Sequence, residues 1–479
     1  MTTFLIALAV LIAGYFIYGM LVERVIGCTS QREMPCYTKQ DGIDYMPLPT
    51  WKVFLIQFLN IAGLGPIFGA IMGIMFGPAA FLWIVLGTIF AGAVHDFLSG
   101  VISIRMGGAS LPEIVGSQLG NGVKQLMRGF SLMLMILVGA VFVLTPAGLI
   151  AGMTPDWMDA TFWVCAIFIY YILATLLPID KLIGNLYPVF GFALLFMAAG
   201  IMGVLIFSDV TIPDGITQGL YNRSANADAM PLFPMMFVSI ACGAISGFHA
   251  TQSPMMARCL KNEKLARPVF YGAMVTEGIV ALIWAAAAIA FTGSYDNLSG
   301  YLAEHGGTGG LVHDISIAWL GTLGGALAIL GVIAAPITSG DTALRSARLI
   351  AADFMNMEQK TIMKRLAVSV PIFVLTFVIM QIDFDVLWRY FAWCNQTLAV
   401  FTLWACTVYL AHRGLTYWIT MLPAMFMTCV CTTYILFAPE GFGVDYTISV
   451  AVGLIVTAIA AGWFMKKVAF APKMSVIED

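Results

Sequence analysis

Thirteen apolar runs, each near the roughly 17 to 25 residues that cover a bilayer, divide this chain. They lie at about 3–22, 53–76, 79–98, 130–151, 160–177, 186–207, 232–256, 269–292, 312–338, 367–382, 386–411, 417–437 and 447–465. With 60% hydrophobic and only 10% charged residues, the chain has too little polar side chain to coat a water-facing surface. The reading is an all-α integral membrane protein of about thirteen spans. The first run lacks a basic start and a small-residue cleavage site, so it reads as a span rather than a signal peptide. A net charge of −3 offers no basic field for nucleic acid.

Positive charge alternates with the runs. If the N-terminus is outside and the C-terminus cytoplasmic, 21 of the 23 Lys and Arg fall on the cytoplasmic side, leaving Arg223 and Arg389 opposite. That asymmetry is what the positive-inside rule describes.

Two runs are interrupted. Glycine costs about 1 kcal/mol and proline about 3 inside a helix, relative to alanine. Bare backbone in lipid costs more. The second run nevertheless carries Gly63, Gly65 and Pro66 near its middle, and the seventh carries Gly243 and Gly247 within "CGAISGFHATQSP". The two runs cross in opposite directions, so the interruptions mirror each other near the midplane. This is the pointer to a transporter of inverted repeats, spans 2–6 against spans 7–11. The division is then 1–51 (first span and loop), 52–208 and 230–411 (the repeats), and 412–479 (two peripheral spans and a tail).

Each break would expose the N–H groups of a half-helix, a cradle for a carboxylate. Pro66 suits the first turn of a resuming helix. Candidate substrate contacts are Asn60, Gly63, Gly65, Pro66, Gly247, Phe248 (as a gate), His249, Gln252 and Ser253. Close helix packing is the competing role for the glycines, and the expected one for Gly69 and Gly73.

Ionisable groups inside the runs are candidates for coupling a proton or sodium ion. Glu277, about 12 Å into the eighth run by the helical rise, reads as a proton carrier or as a hydrogen-bonded packing acid. His95 and Asp96, about 24 Å into the third run, fall at its cytoplasmic boundary, where a solvated helix end is the plainer account. His249 reads as a donor to an anion, a proton carrier or a satisfied core histidine. Thr338, Ser339 and Asp341 close the ninth run as a sodium site, or Asp341 pairs with Arg345 one turn on. The glycine-rich "EHGGTGG" before His313 and Asp314 reads as a flexible outer loop. Cys28 and Cys36 share a loop and read as free thiols rather than a metal site.

The strings "DGIDYMPLP" at 41–49, "IAGLGPIFG" at 61–69, "FLWIVLGTIFAGAVHDFLSG" at 81–100 and "GGASLPEIVG" at 107–116 closely resemble the carbon starvation protein A family. The likeness continues more loosely through "SGFHATQSPMMAR" and "ITSGDTALRSAR". The resemblance implies a bacterial inner-membrane transporter of the amino acid, polyamine and organocation superfamily, with an inverted 5+5 core of the LeuT type. It implies uptake of peptides or pyruvate when carbon is scarce, with protons as the driving ion and no other cofactor. The family's glycine-rich break falls on Ala62, Gly63, Gly65 and Pro66, and its His-Asp pair on His95 and Asp96. Where family members often carry two histidines before the break, this chain has Ile56 and Gln57.

Two other classes make distinct demands. An intramembrane enzyme needs a nucleophile and base converging in the membrane, and His249 near Ser253 is the only hint, without HExxH or GxSxG. A passive channel would not concentrate its solute. No GxxxxGK[ST] is present to suggest direct ATP drive.

Overall fold

The computed structural model describes residues 1–42, 44–176, 179–215, 219–224, 226–359 and 361–469. Leu177 at the end of the fifth run, and Lys360 and Lys473 of the charge count, lie outside the described residues. The described regular structure is helical throughout.

Ten helices are long and apolar enough to cross a membrane, or eleven if one bent pair is a single span. In chain order, the principal elements are α1 (Thr2–Ile26), α2 (Thr50–Ile61), α3 (Gly65–Ile74), α4 (Ala79–Arg105), α5 (Leu111–Leu119), α6 (Asn121–Ala151), α7 (Ala160–Leu176) and α8 (Ile179–Phe207). Then come α9 (Ala241–Ala244), α10 (Gly247–Ala257), α11 (Glu263–Thr292), α12 (Tyr295–Glu304), α13 (Gly307–Phe354), α14 (Ile362–Ile379), α15 (Phe384–His412), α16 (Trp418–Phe437) and α17 (Tyr446–Phe464). The expected thirteen runs differ from this count at two places. The fifth run is a shorter apolar helix, and the seventh is divided into short pieces that no length criterion joins.

Burial sorts the helices into a centre and a rim. The apolar windows of α4 and α13 are 83% and 81% buried, whereas those of α1 and α17 are 22% and 28% buried. The rim helices turn side chains such as Ile17, Phe207 and Ile459 outward, which suits lipid rather than water. The centre is α4, α6, α10, α11, α13 and α15 around the interrupted pieces α2–α3 and α9–α10.

Three expectations are corrected. The third run does not stop near residue 98: its helix continues to Arg105, leaving His95 and Asp96 about 14 Å short of its end by the helical rise and fully buried. The solvated-end account of that pair is thereby excluded. The tenth run, short in sequence at 367–382, belongs to an 18-residue helix starting at Ile362, because the apolar count missed the turn holding Lys364 and Arg365. The "EHGGTGG" stretch is not a loose loop: Gly306 and Gly307 take left-handed φ values of 74° and 73°, and α13 begins at once. A Cβ on Gly310 would meet the His305 carbonyl oxygen at 1.6 Å, so glycine there permits a tight joint.

Candidate functional site

α4 carries a five-residue π turn, Thr88–Gly92, just before His95. Such turns shift the register of the side chains that follow and mark functional positions in helices. Here the shift accompanies a close approach to the seventh run. Thr88 Oγ1 donates to the Gly243 carbonyl at 3.0 Å, and a Cβ on Gly92 would lie 2.2 Å from the Ala244 carbonyl oxygen. α4 thus lies directly on the backbone where the seventh run breaks.

That break is real backbone extension. Ile245 (φ −157°, ψ 137°) and Ser246 (φ −144°, ψ 124°) separate α9 from α10, and His249 sits in the first turn of α10. The Asp96 carboxylate accepts from His95 Nδ1 at 2.8 Å through one oxygen and from His249 Nδ1 at 2.9 Å through the other. His249 Nε2 then lies 3.4 Å from the Glu277 carboxylate of α11. All four side chains have no solvent exposure. His95, Asp96 and His249 are thus hydrogen-bonded in series, and Glu277 stands beyond them at ion-pair distance without a hydrogen bond among the described residues, so that α4, α10 and α11 meet across the interruption. Two carboxyl groups, Asp96 and Glu277, are thus buried with only the His249 imidazole between them. Fully deprotonated, the row would carry two buried negative charges, an arrangement a low-dielectric interior resists.

The second run breaks at Ala62–Leu64, and α2 and α3 are bent 55° apart. The backbone largely resolves itself: Gly63 N–H reaches the Ile61 carbonyl at 2.9 Å and Phe68 N–H the Leu64 carbonyl at 2.8 Å. Ser339 Oγ of α13 donates to the Leu59 carbonyl at 3.0 Å. Thr338, Ser339 and Asp341 are all fully buried beside this point. Thr338 Oγ1 donates back to the Ala334 and Ala335 carbonyls. Arg345, the partner that spacing suggested for Asp341, lies 3.6 Å from the Asp44 carboxylate. Asn60, fully buried one residue after Leu59, has no hydrogen-bond partner for either amide atom among the described residues. Gln57 Nε2 donates to Ser253 Oγ at 3.3 Å, which ties α2 to α10. Gln252 Nε2 donates to Thr251 Oγ1, leaving its own carbonyl oxygen unmatched.

The glycines at both breaks sit against neighbours. A Cβ on Gly65 would fall 2.0 Å from Cys242 Cβ, and one on Gly63 2.9 Å from the Phe142 ring. Gly69 and Gly73 face Ser239 and Ile240, the packing role expected of them. Gly247 lies against the backbone of α15, where a Cβ would come within 2.3 Å of the Asn395 carbonyl oxygen. Pro66 opens the resuming helix, where its missing N–H has no role to fill.

α15 supplies the residues that the sequence reading missed. Asn395 Oδ1 accepts from Phe248 N–H at 2.7 Å and from Ser246 Oγ at 3.0 Å. Gln396 Nε2 donates to the Ile245 carbonyl at 3.1 Å. One turn earlier, Phe391 packs edge-on to Phe142, which also meets Phe248. The adjacent polar pair "NQ" within an otherwise apolar run was the available signal.

Two hollows lie near parts of this region. One, of about 250 Å³, is bounded by Leu149, Gly306, Gly309, Gly310 and His313, with Gly309 approaching Phe68 just past the first break. The other, about 20 Å³, lies among Ser110, Thr251, Pro254, Arg258 and Ser346, at the opposite end of α10. Asn60, His249, Gln252 and Ser253 line neither hollow and are fully buried. In the loop after α1, burial and then nearby Glu263 push the Cys28 thiol up to about 12, and burial pushes Cys36 up to about 11. Among the described residues, no group of three or more His, Cys, Asp or Glu is placed to hold a metal.

Residues 1–158 and 156–308 match the family described as Carbon starvation protein CstA. A Haemophilus influenzae protein named as an uncharacterized membrane protein is 44% identical over 347 residues, covering 62% of this chain and 92% of that one. The peptide transporter CstA of Campylobacter jejuni is 28% identical over 58% of this chain and 48% of its own length. The pyruvate/proton symporter BtsT of Escherichia coli K12 is also 28% identical, over 58% of this chain and 47% of its own length. The match thus spans about half the length of these two named transporters. Among solved structures, MhsT in complex with L-phenylalanine superimposes with a TM-score of 0.54 at 14% identity, over 85% of this chain and 98% of that one. A Na+-coupled sialic acid symporter does so with a TM-score of 0.50 at 13% identity, over 97% and 98%. At such identities the likeness is one of fold, that of LeuT-type transporters. With apolar helices crossing repeatedly and the family match running through both breaks, this multi-pass membrane protein belongs to the carbon starvation protein CstA family of transporters.

Proposed function

We propose that the protein is a secondary active importer of a small carboxylate-bearing nutrient, a short peptide or pyruvate, driven by proton symport. The observation that carries this reading is the solvent-free row His95–Asp96–His249–Glu277, anchored on the discontinuous helix itself. A proton entering or leaving the row changes the charge at the first turn of α10, so protonation and the position of that half-helix are coupled. The names of the Campylobacter and Escherichia relatives support the substrate classes.

In this reading the 52–208 and 230–411 segments are the inverted repeats of a thirteen-span protein in the bacterial inner membrane, and 412–479 is peripheral. The N-terminus lies outside and the C-terminus inside. Arg223 pairs with Asp296 and Arg389 with Glu440, each pair joining two segments that this topology puts on the same side. Alternating access opens the buried centre to the two sides of the membrane in turn. Substrate contacts are Asn60, Gly63, Gly65, Pro66, Gly247, Phe248, His249, Gln252 and Ser253. Asn60 makes the strongest case, because a buried amide with neither atom matched costs about 1–3 kcal/mol unless something binds it.

A second reading makes sodium the coupling ion, held by Thr338, Ser339 and Asp341 with carbonyls at the end of α2. The Ser339 contact to the Leu59 carbonyl favours it, since hard cations take such oxygens. Uptake of labelled pyruvate and dialanine into vesicles carrying the pure protein separates the readings. A proton gradient, acid outside, is expected to drive accumulation at zero sodium. Accumulation only with a sodium gradient would select the second reading, and none under either gradient would reject import.

A further inference from the structure

Away from the two breaks, α1, α2 and the start of α11 leave a groove of about 520 Å³ between them. Its walls are apolar, with Ile12 and Phe16 of α1, Trp51 and Phe54 of α2, and Val275 and Ile279 of α11. Ile12, Phe16 and Trp51 are exposed, so the groove opens outward to lipid. Along α11 it runs from Pro268 to Ile279, about 16 Å by the helical rise. That is close to half of the roughly 30 Å hydrocarbon core, the depth of one leaflet.

The shallow end is basic and aromatic. Lys52 Nζ stands 5.7 Å from the centre of the Trp51 ring, and the Arg267 guanidinium 5.0 Å from that of Tyr15; both rings line the groove. Glu23 accepts from Arg267 Nε at 2.6 Å, which fixes the guanidinium at this rim. An apolar channel one leaflet deep beneath a rim of cations and interfacial aromatics is complementary to an acyl chain with an anionic headgroup. Gly272 supplies a further sign. The glycines at the two breaks sit hard against neighbours, but a Cβ on Gly272 would come no nearer than 3.5 Å to Tyr15, an ordinary contact. Glycine weakens a helix interior, and close packing does not demand it here. Its effect is to keep the groove open.

We propose that this groove binds one anionic phospholipid, with an acyl chain between α1, α2 and α11 and the phosphate against Lys52 and Arg267. α2 leads into the first break, so the lipid braces that half-helix against α1 and α11. Binding of this kind is independent of what the protein carries.

The purified, delipidated full-length protein tests this by thermal melting and native mass spectrometry. The probes are dioleoylphosphatidylglycerol, dioleoylphosphatidylcholine and inorganic phosphate. Phosphatidylglycerol is expected to raise the melting temperature saturably with one lipid retained, and phosphatidylcholine to bind about tenfold more weakly, since two basic side chains favour the anionic headgroup. Lys52→Gln should weaken phosphatidylglycerol about fivefold and leave phosphatidylcholine unchanged. Gly272→Leu, which fills the groove and keeps every charge, should abolish the retained lipid while still eluting as folded protein. The proposal is overturned if the two lipids bind alike, if inorganic phosphate alone gives the full rise, or if Gly272→Leu retains phosphatidylglycerol as wild type does.

Discussion

The two interruptions solve one problem in different ways. At Ala62–Leu64 the chain turns back on its own carbonyls, needs one hydroxyl from Ser339, and leaves the Asn60 amide over with neither atom matched. At Ile245–Ser246 the backbone is extended, its groups are met by Asn395 and Gln396 of another helix, and its neighbours His95, Asp96 and His249 are hydrogen-bonded in series with Glu277 at ion-pair distance beyond. A break that closes on itself spares side chains for a ligand. A break closed by side chains ties its geometry to whatever moves those side chains, which is what coupling requires.

The contrast can be broken at its strongest point first. Asp96 holds both histidines, and removing one partner of a buried ionic group costs about 3–5 kcal/mol. Asp96→Ala is therefore expected to melt far below wild type, and Asp96→Asn to insert but lose gradient-driven accumulation by about 100-fold, the scale of a lost proton-transfer group. Near-normal accumulation by Asp96→Asn would remove the row from the mechanism.

Overpacking sharpens the difference between the breaks. An alanine at Gly247 meets α15 backbone, which cannot step aside, whereas one at Gly65 meets the Cys242 side chain. Both are expected to cost about 1–3 kcal/mol. Cys242→Gly should rescue Gly65→Ala, and no side-chain truncation should rescue Gly247→Ala. Thermal melting of the single and double variants reads this.

Asn60→Leu separates stability from use. Replacing a buried, unmatched amide by an apolar group of similar size removes a desolvation cost of about 1–3 kcal/mol, so the variant should melt higher while uptake falls. A lower melting temperature would mean Asn60 is a structural group. Ser339→Ala removes one hydrogen bond, about 1 kcal/mol, and should leave proton-driven uptake in place, as vesicle assays under a pure proton gradient would record. The smallest expected effect concerns the loop after α1. With burial holding the Cys28 and Cys36 thiols near 12 and 11, both stay protonated at pH 8, so alkylation followed by mass spectrometry should be slow there and rise steadily as pH increases.

Much of this architecture was legible in the chain because lipid makes irregular backbone expensive. Gly63-Leu64-Gly65-Pro66 and the glycines around Ser246 stand out for that reason alone. The reach of α4 was not legible: Ser99 and Ser103, both buried and bonded to nearby carbonyls, dilute the apolar count after Leu98, so the helix looked finished and His95–Asp96 looked solvated. Nor could one sequence show that Asp96 meets His249, since 153 residues separate them and the π turn, the Thr88 hydrogen bond to Gly243 and the close approach at Gly92 bring their helices together. Asn395 and Gln396 were hidden by rank, as uncharged polar residues among more conspicuous acids and histidines.

The most direct test records protons. When pyruvate or dialanine is added to the purified protein in weakly buffered solution with a pH-sensitive dye, proton uptake or release should accompany binding, vary with starting pH, and vanish in Asp96→Asn. Saturable binding with no proton exchange at any pH, or the same exchange in Asp96→Asn, would contradict the account.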